Sequence, residues 1–277
     1  MKGSMQDWPL LVPKILDHAA LYHGEREMVT RSIEGPLRRT TYADLHHRAR
    51  QVAKALDRMG VRKGDRVATL AWNTDRHMEA WYGIMGAVCH TRNPRLFPEQ
   101  IVYIANHAED RIILTDTTFV PILEGIADQL SSVESVIVMT DATHMPETKL
   151  DNVLCYEEWV GAEDAEYDWV AVDEDDACGL CYTSGTTGNP KGVLYSHRSN
   201  VLHAMTVNAG DGFGLRTLDN VLPVVPMFHA NAWALAFAAP MAGAKLVMPG
   251  AKMDGASIYE LLENEQVSFT AAVPTVW

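Results

Sequence analysis

Apolar side chains along this chain repeat with two different periods, and the two alternate. Between Pro9 and His23 they recur at helical spacing, which predicts an amphipathic opening helix. Thr41-Tyr42-Ala43-Asp44 then offers a hydroxyl and, three residues on, a carboxylate, the pair that caps a helix start. Leu45, Val52, Ala55, Leu56 and Met59 follow at helical spacing, and Gly60 stops the helix. His46 and His47 are neighbours in it, cannot share a face, and read as solvent-side residues.

The pattern next gives a strand over Asp65–Ala71, a helix over His77–Val88 and a loop over His90–Arg95. It continues with a helix over Pro98–Ala108, a strand over Arg111–Thr115, a helix over Phe119–Leu130 and a strand over Val133–Met139. Alternation of this kind builds βαβ units, so the fold class is α/β with mainly parallel sheets covered by helices. In such sheets ligands sit beyond the carboxyl ends of the strands.

Residues 140–176 turn acidic and irregular and end in Asp173-Glu174-Asp175-Asp176. Consecutive like charges repel and prefer water, so this run reads as a solvated connector rather than a metal site. It divides the chain into a first α/β subdomain, 1–176, and a second, 177–277. In the second, Ala177–Tyr182 reads as a buried strand and Val193–Tyr195 as another; Ser196 caps a helix running to about Ala209. Lys245–Met248, Asp254–Glu263 and Val267–Ala272 repeat the strand-helix-strand order. No internal repeat or low-complexity tract interrupts it.

Composition narrows the function. With 47% hydrophobic residues the chain can supply a large core, and a formal net charge of −13 argues against nonspecific binding to nucleic acid or anionic lipid. The N-terminal residues carry no secretory signature. The longest stretch free of Asp, Glu, Lys and Arg, Asn220–Ala244, contains Pro223, Pro226, His229, Asn231 and Pro240, and reads as buried interior rather than a membrane span. Four cysteines form no disulfide-rich pattern and fit a reduced cytoplasm. Cys178 and Cys181 make a C-x-x-C, but on a strand they should point to opposite faces, which leaves them as core packing.

The candidate chemistry lies at Tyr182-Thr183-Ser184-Gly185-Thr186-Thr187-Gly188-Asn189-Pro190-Lys191-Gly192-Val193. Six hydroxyl or glycine residues, little side-chain bulk and one cation suit a polyphosphate, because successive N–H groups can line one concavity. Pro190 stands where a Walker A motif needs its second glycine, so a hairpin-like phosphate loop is expected instead. A second cluster, Pro226-Met227-Phe228-His229-Ala230-Asn231-Ala232-Trp233, puts His229 and Trp233 on one face if a helix begins near His229. On the residues alone, an imidazole and indole lining a cleft and an ordinary core pair stand about even.

The first segment resembles the phosphate-loop signature of the adenylate-forming superfamily: acyl-CoA synthetases, luciferases and the adenylation domains of peptide synthetases. The resemblance runs along nearly the whole chain. It is nearest to bacterial fatty acyl-CoA synthetases and the related 3-methylmercaptopropionate ligases, and the Phe228–Trp233 segment favours that branch over amino-acid adenylation domains and luciferases. It implies a ligase that uses ATP, Mg²⁺ and coenzyme A to convert a fatty acid or a short thioether acid into its thioester. It assigns Thr183 to Mg²⁺ and Ser184, Gly185, Thr186, Thr187, Gly188 and Lys191 to the phosphates. Ala230 then lies near the nucleotide, His229 borders the acyl and adenylate site, and Trp233 matches an aromatic gate. Lys191, Thr183 and His229 are the catalytic candidates. The resemblance also implies a cytoplasmic homodimer. Family members continue into an aromatic-Gly-x-Thr-Glu motif, a ribose-holding Asp, a hinge and a mobile domain with a catalytic Lys. These 277 residues taken alone are therefore expected to be the inactive N-terminal part of a ligase, with a noncatalytic nucleotide-binding fragment or pseudoenzyme as the rival reading.

Overall fold

The computed structural model describes residues 3–183 and 189–274. The chain runs α1 (Val12–His23), β1 (Glu27–Arg31), β2 (Leu37–Thr41), α2 (Tyr42–Arg58), β3 (Arg66–Leu70), α3 (Asp75–Gly83), β4 (Val88–Thr91), α4 (Pro98–Ala108), β5 (Asp110–Thr115), α5 (Val120–Glu124), β6 (Ser135–Val138), β7 (Val153–Cys155) and α6 (Tyr156–Gly161). It continues with β8 (Ala177–Thr183), β9 (Lys191–Ser196), α7 (His197–Asn208), β10 (Asn220–Pro223), α8 (Ala230–Trp233), α9 (Leu235–Ala242), β11 (Lys245–Met248), α10 (Gly255–Asn264) and β12 (Phe269–Ala271).

Local chemistry starts the helices where the residues predict. The Thr41 hydroxyl accepts from the Asp44 N–H while the Asp44 carboxylate accepts from the Thr41 N–H, a closed capping box at α2. Ser196 caps α7 by accepting from Ser199, and Asp254 caps α10 by accepting from Ser257.

Two sheets result. The larger has seven strands in the order β7-β6-β5-β3-β4-β8-β9, parallel except for the β8–β9 hairpin; the smaller has the order β12-β10-β11-β1-β2, parallel except for β1–β2. Alternate residues of each strand feed different layers. Val67 and Leu246 face a shared core with α1, α2, α3 and α9, while Ala68 packs under α4 and α5 and Val247 under α10. In the shared core Trp81 stacks on Phe237 with ring centroids 5.3 Å apart. The sheets exchange segments, since β1–β2 joins the second and β8–β9 the first. The expected division at residue 176 therefore does not coincide with a change of sheet.

Several expectations need correction. His90 and Thr91, placed in a loop, lie in β4 between β3 and β8; a buried His90 hid a central strand, its Nδ1 held by the Asp110 carboxylate 2.7 Å away. The helix begun before His77 ends at Gly83, where a Cβ would stand 2.5 Å from Val52 Cγ1, so glycine lets α3 lie against α2. The helix placed over Phe119–Leu130 is reduced to α5 between two 3₁₀ turns. The β1–β2 hairpin, β7 and α6 were not anticipated. His46 is half-buried, with Nε2 3.0 Å from the Asp17 carboxylate, rather than solvent-side.

One side chain joins the sheets. Asn73, just beyond β3, donates from Nδ2 to the Pro223 and Val225 carbonyls at 2.8 and 3.0 Å, and its Oδ1 accepts from the Met227 N–H at 2.8 Å. Its own carbonyl accepts from Gly250 beyond β11. Beside it Asp116 accepts from the Trp72 N–H at 2.6 Å, and burial pushes that carboxyl up to about 7. Asn73→Ala leaves two carbonyls and one N–H without partners in the interior, which costs about 3 kcal/mol or more. The thermal midpoint should then fall by roughly 6–12 °C. A fall under about 2 °C in a melting experiment contradicts this role for the carboxamide.

Candidate active site

Strands β3, β4, β5 and β8 are parallel neighbours or near neighbours, so their carboxyl ends share one edge of the large sheet. The hairpin turns at that edge, where βαβ sheets bind ligands. Thr183 and Lys191 face each other across it as the last described pair, both exposed, with the Thr183 Oγ1 donating to the Lys191 carbonyl at 3.5 Å. Ser184, Gly185, Thr186, Thr187 and Gly188 lie outside the described residues. The antiparallel pairing of β8 with β9 on either side of them agrees with the two strands expected there.

The base of the hairpin is tightly packed. Gly192 opposes Tyr182, and a Cβ at Gly192 would stand 3.1 Å from Leu180 Cδ1 and 3.2 Å from Tyr182 Cζ. The Tyr182 hydroxyl lies 2.6 Å from His107 Nδ1 on α4, and its ring centroid 5.2 Å from that of His90. Sequence reasoning missed His90 and His107, whose only signal was their separate positions in apolar segments.

The second cluster departs from expectation. Ala230, Asn231, Ala232, Trp233 and Ala234 all have positive φ, between 44° and 66°, so α8 is a single left-handed turn. His229 and Trp233 are therefore not four apart on a right-handed helix, although both remain exposed. Left-handed backbone costs about 1–2 kcal/mol per residue, and of these five only Asn231 is of a type that visits it readily. The Ala232 N–H donates to the His229 carbonyl, Ala232 is buried in the shared core, and Ala234 is buried beside it.

The turn is tied to the strand that carries Thr183. Asn231 Nδ2 donates to Asn200 Oδ1 at 2.8 Å, and Asn200 Nδ2 donates to Cys178 Sγ at 3.2 Å. Asn231 Oδ1 lies 4.0 Å from Cys181 Sγ, which is 3.1 Å from Thr91 Oγ1. A bulge between Ala177 and Gly179 breaks the alternation of β8. Both thiols consequently reach the same asparagine pair, which corrects the opposite-face expectation. The four cysteines are free and buried, and burial pushes the Cys178 thiol up to about 12, so that thiol stays protonated.

Among the described residues no group of three or more His, Cys, Asp or Glu side chains could hold a metal ion. The exposed Thr183 hydroxyl offers a single oxygen, a donor type that fits Mg²⁺, which takes few protein ligands. A cavity of about 140 Å³ lined by Leu56, Val61, Ile84 and Trp169 lies at the other end of β3, away from the hairpin. No described helix is long and apolar enough to cross a membrane.

A helix-covered, mainly parallel sheet whose β8–β9 hairpin ends in the Thr183–Lys191 pair at the carboxyl edge defines the chain as an α/β protein of the type that binds ligands beyond that edge. Residues 16–277 match the AMP-binding enzyme family, and the chain belongs to it. It is 48% identical over 279 aligned residues to a medium-chain-fatty-acid–CoA ligase of Ectopseudomonas oleovorans, covering 100% of this chain and 51% of that protein. A 3-methylmercaptopropionyl-CoA ligase of Ruegeria pomeroyi is 47% identical, with 100% and 52% covered. Among solved structures, an anthranilate CoA ligase, AuaEII, in complex with anthranoyl-AMP superposes with a TM-score of 0.85 at 25% identity, over 100% of this chain and 52% of that one. The chain thus spans about half the length of these relatives.

Replacing the half-buried Ala230 by glycine removes a left-handed penalty, so Ala230→Gly should stabilise the fold by about 0.5–1 kcal/mol. Calorimetry should show a midpoint raised by roughly 1–4 °C, and a lowered midpoint contradicts the left-handed turn.

Proposed function

We propose that this chain forms the nucleotide-activating part of an AMP-forming ligase that joins a fatty acid to coenzyme A. The observation that carries the reading is the pairing of Thr183 with Lys191 at the carboxyl edge of the large sheet, flanking the Ser184–Gly188 segment. Family membership and the acyl-CoA ligases among its relatives support it.

A carboxylate is a poor electrophile, being anionic with oxide as its leaving group. In the proposed reaction it attacks the α-phosphorus of ATP, giving an acyl adenylate and pyrophosphate; the thiol of coenzyme A then attacks the acyl carbon and AMP leaves. Negative charge gathers on the departing pyrophosphate. In this reading the Lys191 ammonium and the Ser184, Gly185, Thr186, Thr187 and Gly188 segment would stabilise that charge, which makes electrostatic stabilisation their main contribution. The Thr183 hydroxyl would help hold Mg²⁺, which when bound neutralises phosphate charge. Ala230 borders the nucleotide, and His229 and Trp233 border the carboxylate and acyl chain. None of these residues acts as a covalent nucleophile.

The acid is a medium- or long-chain fatty acid in the first reading and 3-methylmercaptopropionate in the second, which the 47% identical relative supports almost equally. A cytoplasmic homodimer of lipid metabolism completes the proposal, resting on family resemblance alone.

In the complete gene product, Lys191→Ala should leave the melting curve unchanged, because the side chain is exposed, and slow acid-dependent ATP–pyrophosphate exchange by about 100-fold. Unchanged exchange removes the lysine from the mechanism. AMP release measured across a panel of acids separates the two readings: a maximum on fatty acids supports the first, and one on the short thioether acid the second.

A further inference from the structure

The left-handed turn α8 has no glycine to ease it, yet it supports His229 at one end and Trp233 at the other. Its one polar side chain, Asn231, is buried and pairs with the buried Asn200 of α7 at 2.8 Å. From Asn200 the contacts lead to Cys178 on β8, and from Asn231 to Cys181, two residues before Thr183. Helix α7 is itself the continuation of β9, the limb that carries Lys191. One amide–amide bond is therefore the meeting point of both limbs of the hairpin and the turn.

We propose that Asn200 and Asn231 are positioning residues that hold the turn carrying His229 and Trp233 against the phosphate-binding hairpin. The proposal rests on the reaction assigned above. A right-handed turn at 230–234 would carry Asn231 away from Asn200 and leave the Asn231 Nδ2 donor and the Asn200 Oδ1 acceptor unpaired in the interior, so the bond fixes which way Asn231 points. The hairpin is held by its own ladder and by Tyr182. Loss of the amide bond thus disturbs the acid side of the site and spares the phosphate side.

The test measures acid-dependent ATP–pyrophosphate exchange by the complete gene product, with octanoate as the acid. Asn231→Gly keeps left-handed backbone available and deletes the carboxamide, while Asn200→Ala deletes the other partner. Each is expected to raise KM for octanoate about 10-fold and to change KM for ATP by less than about 2-fold. The double variant should be no worse than either single one, because both delete the same interaction. Cys178→Ser, which keeps an acceptor for Asn200, should match the parent chain. An unchanged KM for octanoate in Asn231→Gly overturns the proposal, as does a double variant whose losses multiply. If Asn200→Ala fails to fold, Asn231→Gly alone decides. Lys191→Ala separates the layers: impaired exchange there beside unaffected asparagine variants overturns only the positioning role, whereas no exchange in the parent chain overturns both.

Discussion

Two parallel sheets built from exchanged segments of one chain must bring their carboxyl edges to a common place, and the Asn73 carboxamide sets where they meet. Parallel strands leave unpaired carbonyls and N–H groups at that edge, and burying them unsatisfied costs about as much as a lost hydrogen bond each. Asn73 supplies two donors and an acceptor to the chain leaving β10, and its backbone engages Gly250 beyond β11. Position 250 must be glycine, because its φ is positive and a Cβ would stand 2.3 Å from the Arg31 carbonyl oxygen of β1. Residues 224–229, and hence the approach to His229, take their course from this junction.

Strong local signals were readable. The capping box at Thr41, the helix over Pro98–Ala108 and the hairpin around residues 183–191 follow from short-range chemistry, and short-range chemistry is what a single sequence carries. Long-range pairings were not. Strand β4 hides its identity behind His90, whose partner Asp110 is twenty residues away in sequence and directly beneath it in space. β1 pairs with β11 across more than two hundred residues, and no local pattern announces that.

The candidate site divides the same way. The pairing of Thr183 with Lys191 was legible because a run of small, polar residues between two apolar segments announces a hairpin. Asn200 and Asn231 were not, because each is an ordinary asparagine until the bulge at 177–179 turns Cys178 and Cys181 toward them. The alternation argument that separated the two thiols was sound for a regular strand, and the extra residue of the bulge is what overrides it.

Magnitudes show how the left-handed turn persists. Four residues other than Asn231 hold positive φ, a gross cost of about 4–8 kcal/mol. One hydrogen bond between carboxamides returns about 1 kcal/mol net, so it cannot sustain the turn alone. The rest must come from burial: Ala232, Ala234, Leu235 and Phe237 are each at most 1% exposed, and a right-handed turn would have to move them out of the interior. Core packing therefore sustains the strain while the amide bond decides which way Asn231 points.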